Sequence, residues 1–280
     1  MQQLVDYFAT IPSSHRSIIL VGGLTFFMLL ESGLPYLRGR YDKWSHAAIN
    51  LFFTLTTIVV NFMMASVLLR ASDWVADAHF GILQWLPSMP LWLYAIVGLL
   101  LLDLIGAYTV HWAEHRVRWM WRFHLIHHTD PHVDTTTANR HHPGESVFRF
   151  IFTTLGVVLT GAPVWLVFLY QTLSALLSQF NHANIRFPEA LDRALSLAIV
   201  TPRMHRVHHH HVLPYTDTNY GNIFSFWDRI FGTFSRLANE QIVFGIDTHS
   251  DPAEHSRITR LLRIPFEQYR SPSGAKFEKQ

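Results

Sequence analysis

Residues 91–115 read LWLYAIVGLLLLDLIGAYTVHWAEH, an apolar stretch that ends in two histidines. About 20 apolar residues in helical conformation span about 30 Å, the thickness of the hydrocarbon core of a bilayer. His111 and His115 lie one helical turn apart, so both side chains can reach one metal ion. The stretch therefore predicts a membrane-spanning helix that continues into a metal-binding segment at the bilayer surface.

Two more histidine groups follow, both with the spacing H-x2-H-H: His124, His127 and His128, then His205, His208 and His209. Because helix positions i, i+3 and i+4 share one face, we expect each group to aim its imidazoles at a common point. Eight imidazoles exceed the three or four ligands that one zinc ion takes. The pattern predicts a nitrogen-rich site with room for two metal ions, which suits iron.

Composition indicates a membrane protein without cysteine chemistry. Hydrophobic residues make up 49% of the 280 residues and charged residues 15%, against about 25% charged in soluble proteins. The absence of cysteine excludes disulfides, thiolate zinc sites and cysteine-ligated iron–sulfur clusters. A net charge of +2 without a basic, aromatic-rich stripe argues against a nucleic-acid partner.

Apolar runs predict the fold class. Three runs, at about 17–35, 47–69 and 91–110, are long enough to span a bilayer, and a longer run at 147–180 is interrupted by Gly161 and Pro163. We predict an all-α polytopic membrane bundle of about three spans plus a helical hairpin, with a cytoplasmic helical cap that carries the histidine cluster. Buried helices of a soluble protein are the alternative.

The basic residues predict the orientation, because cytoplasmic loops carry an excess of Lys and Arg. The loop after the first span contains Arg38, Arg40 and Lys43, whereas residues 71–90 contain neither Lys nor Arg. The segments that bear the histidines are also rich in arginine. We therefore expect an integral, multi-pass protein with its active site on the cytoplasmic side and with Trp119 and Trp121 as interfacial anchors.

These patterns divide the chain into three regions. Residues 1–95 are predicted to form N-terminal membrane helices and 96–245 the catalytic region. Residues 246–280 are predicted to form a C-terminal interfacial segment and a polar tail. Within the last region, 253–264 could form an amphipathic helix lying on the lipid surface.

Two sequence features have alternative interpretations. His111 to His115 matches H-x-x-E-H, which would make Glu114 the general base of a membrane zinc hydrolase, but that interpretation leaves six histidines without a role. A non-catalytic metal-handling protein is a third possibility. Asp103, two turns before His111, is costly inside a span unless it is paired; it could orient a ligand imidazole or bond to another helix.

Taken together, these motifs resemble the fatty acid hydroxylase/sterol desaturase superfamily over about residues 96–245. Beyond the eight histidines, the resemblance includes Asp103, Tyr108, Arg140, His142-Pro143, Glu145, Asn181-His182-Ala183-Asn184, Asn219-Tyr220-Gly221 and Trp227-Asp228-Arg229. Trp112 and His141 depart from the family pattern.

The resemblance implies a membrane enzyme that binds two iron ions, which zinc could replace in purified protein. Such enzymes use O2 and two electrons to hydroxylate or desaturate a C–H bond of a lipid, such as a sterol or a fatty-acyl chain. The resemblance assigns nine metal ligands: His111, His115, His124, His127, His128, His182, His205, His208 and His209. It adds five possible ligands or partners of ligands: His142, Asp103, Glu145, Asn181 and Asp228.

The electrons must come from outside this chain. The sequence contains neither a G-x-G-x-x-G that follows a strand nor the cysteines of a ferredoxin. A ferredoxin, a cytochrome b5-like protein or a reductase is therefore the expected partner, beside the lipid substrate, O2 and the membrane.

Overall fold

A computed structural model describes residues 1–37 and 41–273. Arg38 and Arg40, on which the predicted orientation partly depends, and the tail from residue 274 lie outside the described residues. In the described part of the chain every regular secondary-structure element is a helix, and β-structure is limited to isolated bridges such as Ile199 with Phe224. The predicted all-α class is confirmed.

Three stretches are long and apolar enough to cross a membrane: Ser13–Gly33, Lys43–Trp85 and Leu91–Arg116. Helix α2 forms the first, after a short α1 at Gln2–Ala9, and α3 (Lys43–Asp77) with α4 (Ile82–Trp85) forms the second. The third comprises α5 (Leu91–Asp103), a π-helical segment at Leu104–Thr109 and α6 (Val110–Arg116). The three predicted spans are confirmed, and they indicate a membrane protein.

The predicted hairpin is also present. Helix α8 (Pro143–Thr160) ends at Gly161, whose φ of +70° is the left-handed conformation that glycine adopts without strain. Pro163 then begins α9 (Val164–His182). Leu102 of α5, Val157 of α8 and Leu166 of α9 are fully buried in one apolar core, so the hairpin packs around the third span.

Shorter helices form the cap, which contains both H-x2-H-H motifs. They are α7 (Arg118–His128), α10 (Glu189–Leu195), α11 (Pro202–His208), α12 (Phe226–Ile230), α13 (Pro252–His255) and α14 (Ile258–Arg263). Thr201 caps α11 by accepting the N–H of Met204, and Pro202 occupies the first turn.

The C-terminal segment differs from the single helix predicted over 253–264, because it forms two short helices, α13 and α14. Leu261 of α14 and the following Ile264 are buried against Trp121 and Ile126 of α7. Trp121 is therefore a core residue with 4% exposure, and its assignment as an interfacial anchor was wrong, whereas Trp119 is 56% exposed. The helical period placed these two tryptophans on different faces of α7.

A buried guanidinium fixes the end of α7. Arg140 donates to the carbonyl of Ile126 at 3.1 Å, to Oγ1 of Thr129 at 3.2 Å and to Oδ1 of Asn50 on α3 at 2.8 Å. A further bond reaches the carbonyl of His255. Arg140 thus joins the second span, the histidine helix α7 and the C-terminal segment.

Candidate metal centre

Nine buried histidines form two adjacent groups. In each group every residue offers a ring nitrogen within 4.8 Å of the others. Group A consists of His111, His115, His124, His128 and His208. Group B consists of His127, His182, His205 and His209. The rings of His128 and His209 stack with centroids 4.8 Å apart, so the two groups are in contact. These are the nine residues that the sequence nominated as ligands.

Each of the two H-x2-H-H motifs contributes histidines to both groups. His124 and His128 lie in group A and His127 in group B, whereas His205 and His209 lie in group B and His208 in group A. The expectation that each motif aims at one point was wrong. On a helix, positions i and i+4 are separated by about 40°, whereas i+3 is rotated about 60° the other way, so the middle histidine faces a second centre.

Spacing and unpaired atoms both fit metal ions. The Nε2 atoms are 3.2 Å apart in His124 and His128, 3.1 Å in His127 and His182, and 3.0 Å in His182 and His205. Two nitrogens bound at about 2.1 Å to one ion lie about 3.0–3.4 Å apart.

The Nε2 atoms of three group A histidines, His111, His115 and His208, are buried without a hydrogen-bond partner among the described residues. Buried polar atoms are rarely left unsatisfied, so a cation between these rings would explain them. The two groups could each bind a metal ion.

Hydrogen bonds to Nδ1 orient most group A rings. Nδ1 of His111 lies 2.8 Å from the carbonyl of Tyr220, and Nδ1 of His208 lies 2.7 Å from the carbonyl of Thr218. Because these carbonyls only accept, each Nδ1 carries the proton and Nε2 keeps its lone pair for a metal.

Electrostatics favours neutral imidazoles in the cap. Burial, reinforced by neighbouring imidazoles, lowers the pKa of His124, His127 and His128 on α7 well below its usual value. The same causes lower the pKa of His205, His208 and His209. Metal binding requires the unprotonated ring, so the folded chain presents these six side chains in the binding form.

Two buried carboxylates and one arginine support His124 from outside. Glu145 accepts from Nδ1 of His124 at 2.8 Å and from Nε of Arg149 at 2.9 Å, and it lies 2.7 Å from Nδ1 of His141. The predicted partner role of Glu145 therefore has a direct geometric basis. Glu114 is paired with Arg149 as well, and its carboxylate lies on the Nδ1 side of His124, 3.6 Å from that atom. This position does not suit the general base of the zinc-hydrolase interpretation.

The structure does not bring His142 into either group. Its Nδ1 accepts the N–H of Gly144 at 3.0 Å and caps α8, and its ring contacts Phe123 and Phe266. The preceding His141, one of the two departures from the family pattern, instead stacks on His127 with ring centroids 4.9 Å apart.

Three other residues nominated from the sequence bond to residues 220–224 rather than to a histidine. Asp103 accepts the backbone N–H groups of Ile223 and Phe224, both at 3.2 Å, and bonds to no histidine. Asp228 accepts the N–H of Tyr220 at 2.7 Å. Asn181 donates to the carbonyl of Asn222 at 3.3 Å. All three therefore position residues 220–224, which contact His111 through the carbonyl of Tyr220.

The sequence did not reveal that residues 217–220 provide hydrogen-bond acceptors for histidines of group A. Asp217 lies 3.3 Å from Nδ1 of His115 and 3.4 Å from the guanidinium of Arg116. Thr218 and Tyr220 act through backbone carbonyls, which leave no trace in residue type. Only the carboxylate of Asp217 had a detectable signal, in an acidic residue eight positions after His209.

The sequence model of the fatty acid hydroxylase family matches residues 95–233. This chain belongs to the fatty acid hydroxylase/sterol desaturase superfamily. The matched range contains all nine histidines of groups A and B and agrees with the resemblance predicted for about residues 96–245.

Several relatives are named for the hydroxylation or monooxygenation of lipids. The chain is similar to an ornithine lipid hydroxylase from Rhizobium tropici, with 26% identity over 81% of this chain and 70% of the relative. An alkylglycerol monooxygenase from Danio rerio is 30% identical over 79% of this chain and 48% of its own length. The methylsterol monooxygenase 2-2 of Arabidopsis thaliana is 27% identical over 78% and 82%. The chain thus spans about half the length of that alkylglycerol monooxygenase. No solved structure gives a significant match.

Proposed function

We propose that this protein is a membrane-bound di-iron oxygenase that hydroxylates a C–H bond of a lipid. The observation that carries the proposal is the pair of adjacent groups of buried imidazoles, five in group A and four in group B, inside a fatty acid hydroxylase domain. The names of the relatives support hydroxylation over desaturation, and the apolar spans support a lipid substrate.

The residues of groups A and B would hold one iron ion each, and zinc could replace iron during purification. When bound, two irons supply the O2-activating chemistry that no side chain provides. The overall reaction would consume one O2, two electrons and two protons, and would yield the hydroxylated lipid and one water.

The protein's own residues prepare this site in three ways. The nine imidazoles are neutral, oxidation-resistant ligands. Glu145 and the carbonyls of Thr218 and Tyr220 hold His124, His208 and His111 in one tautomer. Burial of the histidines excludes bulk water, which limits side reactions.

The third span would place the lipid substrate beside the metal ions. His111 and His115 lie on α6, the direct continuation of the span that begins at Leu91. A lipid lying beside this span would have its headgroup near the cap and its apolar chain in the bilayer. We propose that the cap faces the cytoplasm, because Lys and Arg are concentrated there.

The electrons would come from a separate protein. We propose a ferredoxin, a cytochrome b5-like protein or a reductase that docks on the cytoplasmic cap. Arg257 and Arg263 are exposed there and would attract an acidic partner.

The proposal is tested on protein expressed with excess iron and purified in detergent. We expect about two irons per chain, and 18O from labelled O2 in a lipid product when a reductant is supplied. His208→Ala in group A and His127→Ala in group B should each remove one iron and abolish oxidation. His211→Ala is the matched control, because His211 continues the same histidine run but belongs to neither group. One zinc per chain with turnover in the absence of O2 would contradict the proposal.

Lipid extracts from cells with and without the gene would identify the substrate. A lipid that gains 16 mass units only in cells with the intact gene is the expected result. A lipid that instead loses two mass units would show that the reaction is desaturation rather than hydroxylation.

A further inference from the structure

The two histidine groups differ in how their outer ring nitrogens are held. In group A, Nδ1 of four of the five histidines has an acceptor, at distances of 2.7–3.3 Å. In group B, within the part of the chain that the structure describes, only His182 has one, the carbonyl of Ser178 at 2.8 Å. Among the described residues, Nδ1 of His127, His205 and His209 has no hydrogen-bond partner.

Three of the four group A acceptors lie on one short loop, residues 217–220, which we call the acceptor loop. It provides the carboxylate of Asp217 for His115, the carbonyl of Thr218 for His208 and the carbonyl of Tyr220 for His111. One loop therefore orients histidines that come from two different helices, α6 and α11.

Asn219 fixes the acceptor loop from inside. It is fully buried and has φ of +56°, a conformation that asparagine tolerates better than most residues. Its side-chain amide donates to the carbonyls of Met204 at 2.9 Å and Ser235 at 3.0 Å. Because Met204 lies on α11, the loop is tied to the helix that carries His208.

Asp228 fixes the end of the same loop. Its carboxylate accepts the N–H groups of Tyr220 at 2.7 Å and Gly221 at 3.0 Å. A Cβ at Gly221 would lie 2.9 Å from the Asp228 carboxylate and 2.9 Å from the carbonyl of Phe224. The absence of a side chain at residue 221 therefore allows the carboxylate to approach the backbone.

Acceptors on the outer nitrogen fix the tautomer and the direction of a ligand ring, and their loss typically lowers metal affinity about 10–100-fold. Group A has more such acceptors and one more histidine than group B. We propose that the acceptor loop makes group A the tighter metal site, so that group B binds its metal second and releases it first. This inference rests on the proposed two-metal function.

Chelator competition on the full-length, iron-loaded protein in detergent tests the order of release. Iron per chain is measured after equilibration at increasing chelator concentration. We expect two steps of one iron each, with midpoints separated at least 10-fold. A single step that removes both irons would overturn the inference.

Ligand variants assign the steps to the groups. His209→Ala disables group B and should leave one iron that leaves at the chelator concentration of the second, tighter step. His115→Ala disables group A and should leave one iron that leaves in the first step. The opposite assignment would overturn the inference.

Asp217→Ala tests the acceptor loop itself. Asp217 is partly exposed, with 18% of its side chain accessible, so folding should tolerate the change. We expect the tighter step to shift about 10-fold toward the weaker one, with two irons still bound at saturation. The matched control is Asp251→Ala, which removes an exposed carboxylate that caps α13 and lies outside groups A and B. An unchanged tight step in Asp217→Ala would contradict the role of the loop.

These outcomes are distinct from failure of the proposed function. Two irons that leave in one step, from a protein that still hydroxylates lipid, would refute the difference between the sites alone. A chain that never binds two irons would refute the proposed function as well.

Discussion

The carboxylate of Asp103 accepts the indole N–H of Trp227 at 3.1 Å, which ties the third span to the segment that follows the acceptor loop. The same carboxylate accepts the backbone N–H groups of Ile223 and Phe224. Asp103 thus uses all of its bonds on one side, toward the segment that is continuous with Tyr220. A residue within the third span therefore holds the segment that follows the acceptor loop, and among the described residues it bonds to no histidine.

Asp103→Asn should weaken both the fold and group A. An amide in place of the carboxylate puts an N–H donor opposite donors that are already there, which leaves at least one buried group unsatisfied at a cost of about 1–3 kcal/mol. We expect a lower thermal midpoint in detergent together with weaker iron binding at the tighter site. Asp73→Asn is the control, because Asp73 is exposed on α3. An unchanged midpoint and unchanged iron binding in Asp103→Asn would show that the bonds to residues 223–227 are dispensable.

Residue type and spacing were enough to nominate the nine candidate ligands but not their division into two groups. The nine histidines of groups A and B were nominated from motif spacing and family resemblance, and the structure places all nine together. Their division into two groups depends on the helical phase of α7 and α11 relative to each other. That phase is set by tertiary packing, for example of Leu261 and Ile264 on Trp121, which no local pattern encodes.

The spans and the hairpin were predictable because they follow from local chemistry. Apolar length gave the three spans, and Gly161 with Pro163 gave the break between α8 and α9. The acceptor loop was not predictable in this way. Its carbonyls at Thr218 and Tyr220 are present in any residue, and only the fold brings them to His208 and His111.

His142→Ala should leave both metal sites loaded. Because the imidazole of His142 caps α8 through Gly144 and lies outside both groups, its loss should cost about 1 kcal/mol of stability. We expect two irons per chain and a slightly lower thermal midpoint. His182→Ala is the contrasting variant and should lose one iron. Loss of iron in His142→Ala would show that His142 is a ligand after all.

Arg140→Met should destabilise the fold strongly. Arg140 is 1% exposed, and loss of its guanidinium leaves the amide oxygen of Asn50, the hydroxyl oxygen of Thr129 and the carbonyl of His255 without that donor. The carbonyl of Ile126 would keep only the hydroxyl of Thr129 as a side-chain donor. We expect a loss of about 3 kcal/mol or more, seen as a large fall in the thermal midpoint. Arg257→Met provides the comparison, since Arg257 is exposed on the C-terminal segment. Equal midpoints for the two variants would contradict the proposed role of Arg140 in joining α3, α7 and the C-terminal segment.

Acid should destabilise the metal-free protein, beginning near pH 6.5. Burial lowers the pKa of six cap histidines, among them His124 and His205, well below the value of about 6.5 in the unfolded chain. Below that pH the unfolded chain takes up protons that the folded chain excludes, so the folded state loses stability as the pH falls. Above about pH 6.5 both states are neutral at these positions and the effect vanishes.

Each such histidine contributes a loss of up to about 1.4 kcal/mol per pH unit below its unfolded pKa. Thermal midpoints of the metal-free protein in detergent should therefore fall steeply between pH 6.5 and 5. Return to pH 7.5 should restore the midpoint, which separates protonation from irreversible aggregation. A level midpoint down to pH 5 would mean that the imidazoles are not held neutral by the fold. Since iron competes with protons for the same nitrogens, the iron-loaded protein should keep its midpoint to lower pH than the metal-free protein.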